Sequence, residues 1–216
     1  MSAPDRRVWL FDLDNTLHDA DPYIFPHINR AMTAYVAQQA GLDEAAASVL
    51  RETYWRRYGA TLLGLMRHHG TDPLHFLRHT HQFDDLPGMV VFQPAIRQIL
   101  RRLPGAKIVF SNAPRHYAEA VLDIMGVRHL FDAVCAIEHM RYSPKPGIHG
   151  FRRLIHEHRL KPARCILVED SAENLRTAKR LGMRTIWISN QKRCPAWVDL
   201  RLESVLELPR RLSALG

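Results

Sequence analysis

Short apolar runs that end in polar residues recur along the chain. Val8-Trp9-Leu10-Phe11 ends at Asp12, Ile108-Val109-Phe110 at Ser111-Asn112, Cys165-Ile166-Leu167-Val168 at Glu169-Asp170, and Thr185-Ile186-Trp187-Ile188 at Ser189-Asn190. Continuous apolar runs without alternation predict parallel strands buried on both faces. A weaker strand is expected from Ala133 to Ile137. Between the runs the pattern becomes helical: Pro114 to Met125 closes with Gly126, Ile148 to His158 is amphipathic, and Ser171 to Leu181 closes with Gly182. This alternation predicts an α/β fold with a doubly wound, mostly parallel, Rossmann-like sheet, whose ligands collect at the carboxyl ends of the strands.

The interval 21–89 breaks the alternation, because it has helical periodicity and no convincing strand. It predicts an all-helical cap inserted after the first strand. Asp21 with Pro22, Pro26, Asp43 with Glu44, and Asp72 with Pro73 are helix-start signals, and Gly41 and Gly70 stand where helices should stop. The expected division is a core of residues 1–20 and 90–216 and a cap of residues 21–89. Gln93-Pro94 opens a helix through Leu103 that returns the chain to the sheet.

The strand ends hold the candidate chemistry. Asp12 and Asp14 lie two residues apart after a buried strand, where repulsion and desolvation disfavour two negative charges, so a cation is expected nearby. Magnesium takes hard oxygen ligands from one or two carboxylates plus water and phosphate, and Asp170 is placed to add another acid, with Glu169 in the outer shell. A phosphate dianion approaching a carboxylate is repelled by roughly 4 kcal/mol per charge pair at 4 Å and intermediate dielectric. Lys145, between Pro144 and Pro146, is the candidate counter-charge, held by a restricted backbone. Ser111, before a predicted helix start, offers a hydroxyl and backbone N–H donors to the same anion. Each piece alone is an ordinary turn, linker or cap. Together, in this order and with three of the four at strand ends of one sheet, they make a site.

The four pieces resemble the motifs of the haloacid dehalogenase superfamily: Asp12-Leu13-Asp14-Asn15-Thr16, Ser111-Asn112, Lys145, and Glu169-Asp170-Ser171. The resemblance covers nearly the whole chain. It implies that Asp12 is the nucleophile and a metal ligand, that Asp14 binds Mg2+ through its backbone carbonyl, and that Asp170 supplies a second carboxylate beside Glu169. It further implies that Lys145 and Ser111, with Thr16 and Asn112, hold the phosphoryl group. In the reaction so implied, an aspartyl phosphate splits one displacement into two, and Asp14 protonates the leaving alcohol and then takes a proton from water. Dehalogenases of the superfamily need neither the acid at Asp14 nor a metal-binding pair, so Asp14 and Asp170 argue for phosphate. A phosphomutase shares the core and stays open on motifs alone.

Leaving-group choice is expected to reside in the cap. Its stretch Tyr58-Gly59-Ala60-Thr61-Leu62-Leu63-Gly64-Leu65 looks like the signature of the pyrimidine 5'-nucleotidase branch, which implies a nucleoside monophosphate substrate, although Ala60 stands where that branch often has a hydroxyl residue. Tyr54 and Tyr58 are candidates to stack on a base, for roughly 1 to 3 kcal/mol, with core packing the competing reading for both tyrosines. Trp55 is expected in the core. His116, four residues beyond Asn112, is a candidate substrate contact. His68, His69, His75, His79 and His81 lack a matched carboxylate or an H-E-x-x-H frame and are expected on solvated helix faces.

Composition narrows the remaining classes. The 216 residues, 46% hydrophobic, suffice for one core with an insertion, and there is no low-complexity tract or internal repeat. The net charge of +8 suits an anionic substrate and raises nucleic-acid binding as a rival. However, the basic residues come as scattered pairs, Arg56-Arg57, Arg101-Arg102, Arg152-Arg153 and Arg210-Arg211, on helix-like patterns. A non-catalytic basic module is therefore the rival from another class, and a sugar phosphate or phosphoglycolate phosphatase is the nearest enzyme alternative. Met1 to Arg7 leads to Asp12 too soon for a secretory core or a span, so a cytoplasmic protein without membrane contact is expected, as monomer or homodimer. Cys135, Cys165 and Cys194, widely spaced and odd in number, read as reduced thiols.

Overall fold

A computed structural model describes residues 7–211. Five of its six strands fall on the predicted runs: β1 (Val8–Phe11), β2 (Ala106–Phe110), β3 (Ala133–Cys135), β4 (Cys165–Glu169) and β5 (Arg184–Ile188). The sixth, β6 (Leu200–Leu202), was not expected from the sequence. Every neighbouring pair is parallel, in the order β3-β2-β1-β4-β5-β6. The chain moves outward from β1 in one direction through β3 and in the other from β4 to β6. The connections between these parallel strands place helices on both faces of the sheet. Central strands enclosed in this way must be apolar throughout, and Trp9, Leu10, Phe11, Val109, Phe110, Leu167 and Val168 are all buried.

The chain divides into two compact units, Met1–Asp19 with Val90–Gly216, and Ala20–Met89. The second unit is all helix: α1 (Ile24–Ala40), α2 (Glu44–Tyr58), α3 (Thr61–His69), α4 (Pro73–Thr80) and the short α5 (Leu86–Met89). Its boundaries have local causes. Asp43 accepts the Ala46 N–H at 2.8 Å and Asp72 accepts the Leu74 N–H at 3.1 Å, which satisfies donors that α2 and α4 leave open. Gly41 and Gly70 close α1 and α3 at φ of 63° and 62°, a region that costs a residue with a Cβ.

In the first unit, α6 (Ile96–Arg102), α7 (Arg115–Ile124), α8 (Ile148–Glu157), α9 (Ala172–Arg180) and the terminal α10 (Leu208–Arg211) connect or flank the strands. The helix opened by Gln93-Pro94 is thus shorter than expected, because Pro94 and Ala95 form a turn that leads into it. Cys135 and Cys165 are buried free thiols and Cys194 is an exposed one. Among the described residues, no helix is long and apolar enough to cross a membrane.

Candidate active site

The register of the sheet assembles the acids. Phe11 is level with Val109 on one side and Val168 on the other, so the residues that follow β2, β1 and β4 emerge side by side where the strand order reverses. Asp12 leaves β1 with its N–H still bonded to the Val168 carbonyl at 3.0 Å. Asp12, Glu169 and Asp170 then hold carboxylate oxygens that all lie within 4.8 Å of one another.

Lys145 reaches this group from the loop before α8. Its Nζ donates to Asp12 Oδ1 at 2.8 Å, to Glu169 Oε2 at 2.7 Å and to the Phe110 carbonyl at 2.7 Å, which engages all three ammonium protons. Its side chain is 1% exposed. Two carboxylates beside Lys145 hold its pKa above the usual value despite the opposing effect of burial. Asn112 fixes the lysine's main chain from both sides, accepting the Lys145 N–H at 2.8 Å and donating to the Lys145 carbonyl at 3.0 Å. The amide of Asn112, expected to face phosphate, is therefore engaged by Lys145.

Burial pushes the Asp12 carboxyl up to about 8, with the Glu169 charge acting in the same direction and Lys145 opposing both. The Asp170 carboxyl is raised to about 6, chiefly by burial and then by the Asp12 charge. Glu169 is also raised by burial, although its Oε1 accepts the Ser171 N–H at 3.2 Å. With all three carboxyls ionised, the cluster carries two negative charges more than the Lys145 ammonium offsets. A divalent cation with a preference for oxygen ligands matches both that charge and the donor set.

The remaining candidates fall into place unevenly. Ser111 is 1% exposed and its Oγ accepts the Ala113 N–H at 3.1 Å. The helix that follows is a less open anion site than the sequence suggested, because Glu138 accepts the Arg115 N–H through both oxygens at 3.1 Å. His116 is exposed on the first turn of α7. Thr16 is buried, and its Oγ1 has no hydrogen-bond partner among the described residues. Asp14 is only partly buried, and two groups absent from the sequence reasoning hold it: His18 and Tyr117. A polar residue four positions past Asp14 and a tyrosine early in α7 were the available signals.

In the helical unit, the Tyr54 ring packs where a Cβ on Gly64 would come within 2.2 Å of it, and its hydroxyl meets His69 Nε2 at 2.9 Å. Tyr58 is half-buried and its hydroxyl meets His68 Nε2 at 2.6 Å. Trp55, expected in the core, is 60% exposed. Ala47 and Tyr54 define the inward face of α2, and Trp55, one residue on, turns away from it. His68, His75 and His79 are exposed as expected, while His69 and His81 are half-buried. His75 Nδ1 meets the Tyr35 hydroxyl at 2.7 Å.

A family model described as haloacid dehalogenase-like hydrolase matches residues 7–182. Phosphate metabolism protein 8 of Saccharomyces cerevisiae is 26% identical over 196 residues, which cover 83% of this chain and 60% of the yeast protein. The chain thus spans less than two thirds of that relative. Validoxylamine A 7'-phosphate phosphatase of Streptomyces hygroscopicus subsp. limoneus is 23% identical over 210 residues, covering 94% of this chain and 95% of that protein. The crystal structure of a HAD phosphatase from Thermococcus onnurineus has the same fold, with a TM-score of 0.69 and 20% identity over 96% of this chain and 98% of the other.

Proposed function

This chain belongs to the haloacid dehalogenase-like hydrolases, and from that premise we propose that it is a magnesium-dependent phosphomonoesterase whose nucleophile is Asp12. The observation that carries the reading is the set of Asp12, Glu169 and Asp170, the first two buried, beside the Lys145 ammonium, with two negative charges in excess once all three carboxyls ionise. Asp12 with its carboxyl near 8 would be mostly protonated and a poor nucleophile at neutral pH. Added positive charge restores its carboxylate. The names of the yeast and Streptomyces relatives point to phosphate chemistry as well.

In this mechanism Lys145 fixes Asp12 Oδ1 and leaves Oδ2 to attack phosphorus. The Asp12 O–P bond forms as the ester P–O bond breaks, and Asp14 gives its proton to the departing alcohol oxygen. Asp14 then takes a proton from water as that water attacks phosphorus, which releases inorganic phosphate and regenerates Asp12. Ser111 turns its hydroxyl proton toward a phosphoryl oxygen, since its Oγ already accepts from Ala113. Asp12, Asp170 and the Asp14 carbonyl, with Glu169 behind them, would hold a magnesium ion, which would supply positive charge against the phosphoryl oxygens.

Leaving-group choice is assigned to the helical unit, and the Tyr58 to Leu65 stretch supports a pyrimidine nucleoside 5'-monophosphate. One observation favours a second reading, a sugar or other polyol phosphate. Tyr54 is engaged by Gly64 and His69, which removes one of the two candidate base-stacking rings. A panel of phosphate monoesters assayed for phosphate release with magnesium, beside Asp12→Asn and Asp14→Asn, tests both levels. The expected result is turnover that both substitutions abolish. Undiminished turnover in Asp12→Asn would sink the reading, whereas preference for a sugar phosphate over UMP and CMP would replace only the substrate.

A further inference from the structure

Two buried side chains converge on a single oxygen of Asp14. His18 Nε2 lies 2.9 Å and the Tyr117 hydroxyl 2.7 Å from Asp14 Oδ1. We infer that His18 and Tyr117 are positioning residues that hold Asp14 with Oδ1 turned into the protein and Oδ2 presented to the leaving-group oxygen. The inference rests on the phosphomonoesterase reading and deepens it.

Local folding brings His18 to this place. After β1 the chain turns tightly, with the Leu17 N–H on the Leu13 carbonyl at 2.9 Å and a bridge pairing Asp14 with His18. Asn15 sits inside that turn at φ 56°, a conformation asparagine tolerates better than most residues. The His18 ring is 4% exposed, and among the described residues its Nδ1 has no hydrogen-bond partner. Burying an imidazole whose polar contact is one carboxylate oxygen makes a poor core device, because an apolar side chain would fill the space without the desolvation cost. It makes sense as a clamp on Asp14.

Tyr117 arrives from a different element, 103 residues away in sequence. It is 1% exposed on the inner face of α7. Its hydroxyl donates to Asp14 Oδ1 at 2.7 Å from a rigid, buried ring. With Oδ1 engaged by both side chains, Oδ2 is the oxygen left for proton transfer. That is the atom a general acid must aim at the ester oxygen.

The test uses two esters that differ in their need for an acid. Glycerol phosphate expels an alkoxide that must be protonated, whereas p-nitrophenyl phosphate expels a phenolate that leaves unaided. With magnesium, Tyr117→Phe is expected to lower kcat on glycerol phosphate, relative to p-nitrophenyl phosphate, by roughly tenfold or more, a size set by loss of aim of a general acid. His18→Leu should act in the same direction, and His18→Gln, which keeps an N–H donor, should recover part of the loss. Equal decline on both esters would mark a structural role and overturn the inference, as would unchanged rates in Tyr117→Phe and His18→Leu. Where glycerol phosphate is not a substrate, the best alkyl phosphate of the wider panel takes its place, and if the wild-type chain releases phosphate from no ester of that panel, the phosphomonoesterase reading falls and takes the inference with it.

Discussion

Lys145 is the only ammonium group that contacts the acid cluster among the described residues, with Nζ 2.8 Å from Asp12 and 2.7 Å from Glu169. Removing one member of a buried ion pair leaves its partners uncompensated, at about 3 to 5 kcal/mol. Lys145→Met is expected to destabilise the protein by that order in urea titrations in the presence of a chelator. The effect should be larger at pH 8 than at pH 5, where Asp12 and Glu169 more readily hold protons, and phosphate release should be lost. Asn112→Ala removes two hydrogen bonds from the Lys145 main chain. It should cost roughly 1 to 3 kcal/mol in the same titration and reduce turnover without abolishing it. Asp12, Ser111 and Asp170 were legible in the sequence because they lie at or near the ends of apolar runs, and Lys145 because Pro144 and Pro146 flank it. His18 and Tyr117 were not, since their contact with Asp14 depends on a turn and on a helix 103 residues away.

At the scale of elements, the strands were legible because a strand enclosed on both faces has to be continuously apolar. The strand β6 was not, since Leu200-Arg201-Leu202 is three residues long with a half-exposed centre, a pattern shared by many loops. The break between α2 and α3 was likewise hidden, because helical periodicity continues across it; Gly59 at φ 82° is the residue that permits it. Ala60 is the N-cap of α3, with extended φ and ψ of −156° and 141° and no side-chain bond to the open N–H groups. A hydroxyl at that position is a capping group, so Ala60→Ser is expected to stabilise the protein by about 1 kcal/mol in thermal or urea denaturation. Gly64 lies against Tyr54, with 2.2 Å between an added Cβ and the ring. Gly64→Ala should therefore force α2 and α3 apart and cost about 1 to 3 kcal/mol.

For the whole molecule, the acid cluster links folding to pH and to cations. Asp12 holds its proton up to about 8 in the folded chain against an ordinary value of 3.8. A raised carboxyl stabilises the fold below the ordinary value, and that contribution is lost as pH rises toward the folded value, because the unfolded chain ionises first. Metal-free protein should accordingly lose thermal stability between about pH 4 and pH 8, with Asp170, raised to about 6, adding to the slope. Magnesium should raise the Tm more at pH 8 than at pH 5, since a ligand of the ionised site stabilises the state that has the charges exposed to each other. Equal shifts at both pH values would place the ion elsewhere. In the proposed chemistry the Asp12 carboxylate becomes covalently bonded to phosphorus. Acid quenching during turnover, followed by mass spectrometry of the peptide that contains Asp12, tests it most directly. The peptide should carry the mass of one phosphoryl group on Asp12, absent in Asp12→Asn. Phosphate release at full rate with no phosphoryl group trapped on that peptide would contradict it.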